Sequence, residues 1–289
     1  MAFKDITFDV DGGIATLTLN RPEARNALSM DMRRDLDEAL ALLKAQAGRE
    51  IRALILTGSG GHFCAGGDVK AQHERARSGA GSPMEARQRM REAHARLVDL
   101  ANLEMPVIVA VDGAAAGAGF SLALVGDFIL ASERAVFIQA FGRLGLVPDW
   151  NSLYLLPRLV GLQKAKELVF TARRVGAVEA QRIGLVHSVH SPQTLMTAAR
   201  RLARRFTRAS TTSIALSKNI LNQAFHLDNR AVLELEAMAQ AVARDSDFHR
   251  EAVSRFAHKQ PALFDWEALE NADRAEEAVE PIANPTESR

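Results

Sequence analysis

The chain has 289 residues, with 36 Lys and Arg against 35 Asp and Glu, so its formal charge of +1 excludes a general electrostatic pull toward nucleic acid or an anionic membrane. Hydrophobic residues make up 47% and charged residues 25%, the balance of an ordinary globular chain, and the length suits one large domain with a helical appendage or two small domains. The lone cysteine, Cys64, excludes an intrachain disulfide; with an N-terminus that lacks a signal-peptide core and no apolar run of membrane-spanning length, it predicts a cytoplasmic protein.

Ile6–Val10 and Ile14–Leu19 alternate in strand fashion around Asp11-Gly12-Gly13, which predicts a hairpin. Ser29 reads as a helix N-cap, with Met32, Leu36, Leu40 and Leu43 at helical spacing behind it. Ile51–Thr57 and Val107–Val111 are continuous apolar runs, the pattern of parallel strands buried on both faces. Between them a small-residue stretch, 78–83, is read as a flexible break before a helix over 84–102. Phe128–Ala131, Ala135–Ile138 and Val186–Val189 are further short strands. Helical periods cover 162–171, 178–183, 194–206, 211–225 and 231–244, and the Glu- and Ala-rich end from about 267 is expected to fray. Recurring strand-helix units followed by helices imply an α/β fold: a core over 1–193, a helical region over 194–260 and a tail over 261–289.

Two segments stand out chemically: His62-Phe63-Cys64-Ala65-Gly66-Gly67-Asp68, and Asp112-Gly113 through Gly117-Ala118-Gly119-Phe120. Each follows a buried strand and precedes a helical stretch. Small residues let a backbone approach a ligand closely, and the first N–H groups of a helix lack internal partners. One such turn is usually only a strand-helix corner. Two could each aim an N–H at one oxygen and form an oxyanion hole. A dinucleotide fingerprint would need GxGxxG early in a βαβ unit with an acidic residue ending the next strand, and neither turn supplies it.

Taken in order, Asn20-Arg21-Pro22, Asn26-Ala27-Leu28, Cys64-Ala65-Gly66-Gly67-Asp68, Pro106-Val107-Ile108, Asp112-Gly113, Gly117-Ala118-Gly119, Gly145-Leu146-Val147-Pro148 and Leu156-Pro157-Arg158-Leu159-Val160-Gly161 resemble the crotonase pattern from the first strand to about residue 190. The resemblance implies a ClpP-like spiral of ββα units with a C-terminal helical trimerisation region. It also implies an acyl-CoA thioester substrate, no separate cofactor, and oxyanion donors at the N–H groups of Ala65 and Ala118. Hydratases of this family use two glutamates, and the matching positions here hold Ser121 and Phe141. Asp149 stands where an isomerase branch, acting on ring-epoxide phenylacetyl-CoA and unsaturated acyl-CoAs, carries its proton-moving acid. A plain Pro-Asp before a helix would be an N-cap, and the two roles are compatible. Asn151-Ser152 replace the family's usual Gly-Gly behind a bulky Trp150.

By the same resemblance Arg25 and Lys259 match positions that grip CoA phosphates, and Cys64, Gly66, Asp68, Gly117, Phe141 and Trp150 belong to the substrate site. Read on their own, Cys64 is a small buried hydrophobe and Asp68 a helix cap. His94 matches a catalytic histidine of a dehalogenase branch, yet among Arg91, Glu92 and Arg96 it reads as solvated surface. Asp127 reads as a structural hydrogen-bonder, and no His/Cys/Asp/Glu cluster has metal-ligand spacing. An enoyl-CoA isomerase is the leading expectation, against a hydratase-like or dehalogenase-like hydrolase and a catalytically silent acyl-CoA binder. Apolar stripes including Leu195, Leu202, Ile214, Leu221, Leu233, Leu235 and Val242 predict a homotrimer or a dimer of trimers.

Overall fold

The computed structural model describes residues 3–78 and 82–279. Its strands are β1 (Ile6–Asp11), β2 (Ile14–Leu19), β3 (Ala53–Gly58), β4 (Val107–Val111), β5 (Ala114–Ala116), β6 (Phe128–Ser132), β7 (Val136–Ile138), β8 (Arg174–Gly176) and β9 (Ser188–His190). The helices that matter for the site are α1 (Met30–Gln46), α2 (Val69–Arg77), α3 (Pro83–Ala101), α4 (Ala118–Ala123) and α5 (Ser152–Val160). They are followed by α6 (Leu162–Thr171), α7 (Ala177–Arg182), α8 (Leu195–Phe206), α9 (Thr211–Leu221), α10 (Asn229–Arg244), α11 (Asp247–Ala257) and α12 (Trp266–Val279).

The strands fall into two sheets, ordered β1-β2-β3-β4-β6-β9 and β5-β7-β8. The β1–β2 hairpin is antiparallel, as its Gly-Gly turn dictates, and the rest of the large sheet is parallel. Chain order explains the architecture. β4 and β6 each join the large sheet, and the strand after each, β5 or β7, crosses to the small one. Each turn of the spiral therefore passes through both layers.

Both faces of the large sheet are buried, which is why β3 and β4 are apolar throughout rather than alternating. Leu54, Leu56, Val107 and Val109 face one core with α1 and α3, whereas Ala53, Ile55, Ile108 and Ala110 face a second core with Leu195, Ala199 and Leu202 of α8. Leu195 and Leu202 are thus internal, not part of an exposed stripe. Helix starts follow local chemistry: the Ser29 hydroxyl accepts from Met32 N–H at 2.9 Å, and Ser82 with Glu85 forms a reciprocal capping box for α3. Part of the break expected at 78–83 lies outside the described residues.

Up to residue 279 the C-terminal end differs from the fraying expected from about 267, while residues 280–289 lie outside the described residues. Residues 266–279 form α12, whose Trp266 packs against Phe206 at 5.3 Å between ring centroids and whose Asp273 accepts from Arg205 at 2.6 Å. Docking of an aromatic anchor and a carboxylate overrides the polar composition that suggested fraying. A buried ion pair, Lys218 Nζ to Asp127 Oδ2 at 2.7 Å, ties α9 to the sheet; the same oxygen accepts Val107 N–H, which makes Asp127 the structural group its sequence suggests.

Candidate active site

The two glycine-rich turns meet across the small layer. Cys64 N–H donates to Ala114 O at 2.9 Å and Ala116 N–H donates back to Cys64 O at 3.0 Å, so the first turn pairs with β5. Contact this close needs residues without side chains. A Cβ on Gly66 would stand 2.5 Å from Ala116 O and 3.3 Å from Ala118 N, and one on Gly119 would stand 2.3 Å from Cys64 O. Gly66 also has φ +94°, a region open to glycine at little cost.

This packing settles which amides are free. Ala65 N–H, an expected oxyanion donor, instead donates to Arg25 O at 2.9 Å. Gly66 N–H faces the Cys64 sulfur at 3.4 Å. Gly67 N–H and Ala118 N–H, the latter on the first residue of α4, have no hydrogen-bond partner among the described residues. The Ala65 N–H is taken up in this way because Arg25 and its neighbour Asn26 sit in the left-handed region, which turns the Arg25 carbonyl inward. Asn26, fully buried, then donates to Ser59 O and His62 O at 3.0 and 2.7 Å and fixes the approach to the turn. It carries no chemistry, and its positioning role is visible only once these carbonyls are in place.

Cys64 is buried, its Sγ contacts Asn26 O at 3.0 Å, and burial pushes its thiol up to about 12, so no thiolate forms there. Asp68 Oδ1 caps α2 by accepting Ala71 N–H at 3.1 Å while Oδ2 accepts from Arg21 at 2.9 Å. Gly117, with φ +52°, starts α4, and a Cβ placed on it would touch the Phe141 ring at 3.9 Å. An apolar ring therefore borders the turn at one hydratase-acid position. At the other, the buried Ser121 hydroxyl lies 3.0 Å from Asp149 O and 3.3 Å from Gly117 O. That hydroxyl is a clamp that holds the Asp149 backbone one helical turn from Ala118.

The Asp149 side chain is in an unusual position. Its Oδ1 is buried and has no hydrogen-bond partner among the described residues. Helix α5 begins instead at Asn151, without a side-chain cap, so Asp149 is no conventional N-cap. Burial pushes its carboxyl above the ordinary carboxylate range, and the nearby positive charges of His94 and Arg33 partly restrain that rise. Trp150 is 1% exposed despite φ +54°, and the Arg33 guanidinium lies 5.4 Å from its ring centroid. His94 is not solvated surface. It is half-buried beside the core-facing Ala93 and Leu97, and its Nε2 is enclosed without a hydrogen-bond partner among the described residues.

The site thus joins two unpartnered turn amides, Gly67 N–H and Ala118 N–H, with the loop of Asp149, whose carbonyl is held by Ser121 on α4 and whose Oδ1 is buried. Residues 9–267 match the sequence profile of enoyl-CoA hydratase/isomerase proteins. The chain belongs to the enoyl-CoA hydratase/isomerase family. It is 37% identical over 256 residues to a 1,2-epoxyphenylacetyl-CoA isomerase of Escherichia coli, covering 88% of this chain and 96% of the relative. It is 35% identical over 265 residues to a probable enoyl-CoA hydratase of Rhodobacter capsulatus, covering 91% and 99%. A crystal structure of an enoyl-CoA hydratase/isomerase from Cupriavidus metallidurans superposes with a TM-score of 0.85 at 39% identity, covering 91% of this chain and 97% of that one. The crotonase fold expected from the motifs is the fold observed.

Within this enoyl-CoA hydratase/isomerase frame, the two basic residues matched to CoA phosphates are both exposed. Arg25 is exposed beside the first turn, while Lys259 is exposed beyond α11 at φ +54°. Among the described residues no group of three or more His, Cys, Asp or Glu is arranged to hold a metal, and no helix is long and apolar enough to cross a membrane.

Proposed function

We propose that this member of the family is an enoyl-CoA isomerase that moves a double bond by proton transfer at Asp149. The thioester oxygen of the substrate sits between Gly67 N–H and Ala118 N–H, where negative charge develops as the enolate forms. Preorganised donors in a dry site contribute on the order of 3 kcal/mol each to such a transition state. Asp149 takes a proton from C2 of a 3-enoyl-CoA, the freed electron pair forms the C1–C2 bond of a dienolate with its charge on the thioester oxygen, and protonation at C4 leaves the C2–C3 double bond of the 2-enoyl product. No atom is gained or lost.

The observation that carries this reading is the buried, hydrogen-bond-free Oδ1 of Asp149, lifted in basicity by its surroundings. A conventional hydration needs a second carboxylate, and Ser121 and Phe141 offer none. The Ser121 hydroxyl is engaged with main-chain oxygens.

Arg25 and Lys259 are the groups for the CoA phosphates, with Gly66 and Gly117 holding the turns and Phe141 and Trp150 supplying apolar walls. Oligomerisation as a homotrimer or a dimer of trimers is supported by α10 and α11, which bury no residue in the monomer and expose Leu233, Met238, Val242, Val253 and Phe256. Supplying purified protein with a 3-enoyl-CoA and, separately, with crotonyl-CoA tests the reading by absorbance. The expected result is conversion of the first and very weak hydration of the second. Hydration of crotonyl-CoA at a rate equal to or above isomerisation would overturn it.

A further inference from the structure

Two consecutive residues that carry β-carbons, Trp150 at φ +54° and Asn151 at φ +60°, take left-handed backbone directly after Asp149. Such backbone persists only where surrounding contacts over-determine it. Asn151 gives α5 no side-chain cap, and the Ser121 clamp acts on the Asp149 carbonyl. The Trp150 side chain supplies a further hold. It is 1% exposed, and the guanidinium of the half-buried Arg33 lies 5.4 Å from its ring centroid, within cation–π range. Arg33 lies in the first turn of α1, and α1 is itself tied to the first glycine-rich turn: Leu28 N–H, just ahead of the helix, donates to Gly66 O at 2.8 Å. A short path of contacts therefore runs from Gly66 through Leu28, α1 and Arg33 to Trp150 and Asp149. The charges agree with this placement. Burial pushes both the Cys64 thiol of that turn and the Asp149 carboxyl up, and Arg33 is a positive charge opposing the rise in each.

We propose that Arg33 is a positioning residue for this site: by gripping the Trp150 indole from α1, it fixes where Asp149 stands relative to the Gly67 amide of the first turn. The proposal rests on the isomerase reading and adds to it a side chain that acts through Trp150 rather than on the substrate. A base that works on C2 while two amides hold the thioester oxygen must keep a set distance from those amides. Misplacement by about 1 Å can cost on the order of 100-fold in rate. Gly66 and Gly119 set the two turns against each other. That pairing leaves the carboxylate to be placed by other contacts, and the Arg33–Trp150 contact is one that reaches it from the turn side. A guanidinium suits the place because it is planar, stays charged and lies flat over a ring, whereas an ammonium matches its charge but not its plane.

Arg33→Met and Arg33→Lys separate the grip from the charge. In Arg33→Met, turnover of a 3-enoyl-CoA is expected to fall by about 10-fold or more with CoA-ester affinity nearly unchanged, and Arg33→Lys is expected to recover only part of that loss. Trp150→Phe weakens the ring's hold on a cation, so Arg33→Met should cost much less in that background than in wild type, the non-additivity of two residues that act as a unit. Equal cost in both backgrounds, or full turnover in Arg33→Met, overturns the proposal. Should Trp150→Phe fail to fold, the Arg33 variants still decide, because full recovery by Arg33→Lys would assign the effect to charge alone and overturn the positioning role. A second readout needs no turnover. Infrared difference spectra against the Asp149→Asn protein follow ionisation of the Asp149 carboxyl, with His94, the other positive charge acting on it, left in place. The midpoint is expected to move to higher pH in Arg33→Met, and an unmoved midpoint overturns the proposal. A midpoint that moves although wild-type protein isomerises no 3-enoyl-CoA removes the isomerase reading and keeps the placement of Arg33 against the Asp149 loop.

Discussion

The paired glycine-rich turns and the Asp149 loop bring polar groups to one place by different means. In the turns the groups proposed to act are main-chain amides, and glycines stand where a Cβ would strike a carbonyl, as at Gly66 and Gly119. The geometry is encoded by what is missing. In the Asp149 loop the group proposed to act is a side chain, and the sharp backbone behind it is built from Trp150 and Asn151, both with φ near +60°. There the geometry is imposed by what is buried: an indole held between the core and the Arg33 guanidinium, and a serine hydroxyl gripping the Asp149 carbonyl. The contrast teaches that an amide site can be specified locally, whereas a carboxylate's environment is assembled from α1, α3 and α4 together.

Gly66→Ala breaks the turn side of this comparison and should have the largest effect. The new methyl would lie 2.5 Å from Ala116 O in a φ +94° backbone. Strain of that kind and local overpacking each cost about 1–3 kcal/mol. Chemical denaturation should therefore show a loss of roughly 3 kcal/mol or more, with turnover falling further because Gly67 and Ala118 lose their alignment. Wild-type stability in this variant would mean that the two turns do not pack as described.

Asp149→Asn acts on the other side and should separate chemistry from folding. Turnover should fall by about 100-fold or more, with little change in CoA-ester affinity. Stability should not fall, because the carboxylate oxygen removed has no hydrogen bond to lose. Steady-state kinetics with thermal melts checks both halves, and full activity in the stable variant would end the mechanism.

The difference between the two regions also sets what the sequence could reveal. β4 is bounded as its apolar run implies, and α6 matches its periodicity residue for residue, because burial on both faces or one stripe is a local pattern. The turns were legible as a pair through glycine spacing. The identity of the free amide was not, since Ala65 is occupied only because Arg25 adopts φ +50°. His94 was misplaced for a similar reason: the charged residues around it predict solvent, but the helix half-buries that one residue beside the core-facing Ala93 and Leu97. Helices α11 and α12 escaped notice because their apolar residues are sparse, and α12 is held by Trp266 and Asp273 against α8.

The pH dependence offers a smaller but sharper probe of the carboxylate. Burial raises the Asp149 pKa, so the folded protein holds that proton at pH values where the unfolded chain has lost it. Folding stability attributable to this group should therefore fall as pH rises from the ordinary carboxylate range to the raised value. Activity should rise across the same window, because the base form does the work. Arg33→Met removes a charge that favours ionisation and should move the acid limb of kcat/KM to higher pH. An acid limb that stays in place in that variant would assign it to another group.

Asn151→Gly should give the smallest effect, and it asks whether the left-handed backbone after Asp149 is a burden or a requirement. A β-carbon in this region costs about 1–2 kcal/mol for most residues and less for asparagine, whose short polar side chain tolerates it. Glycine removes that cost but adds about 0.5–1 kcal/mol of unfolded-state freedom that folding must overcome. Asn151 makes no capping bond to α5, so no contact of that kind is lost. The opposing terms leave a net change within about 0.5 kcal/mol, and turnover should stay near wild type because Trp150 and the Ser121 clamp still fix the loop. A melting temperature shifted well beyond that range, or turnover reduced several-fold, would show that the Asn151 side chain helps to aim Asp149. The loop would then depend on its own residues as directly as the turns depend on their glycines.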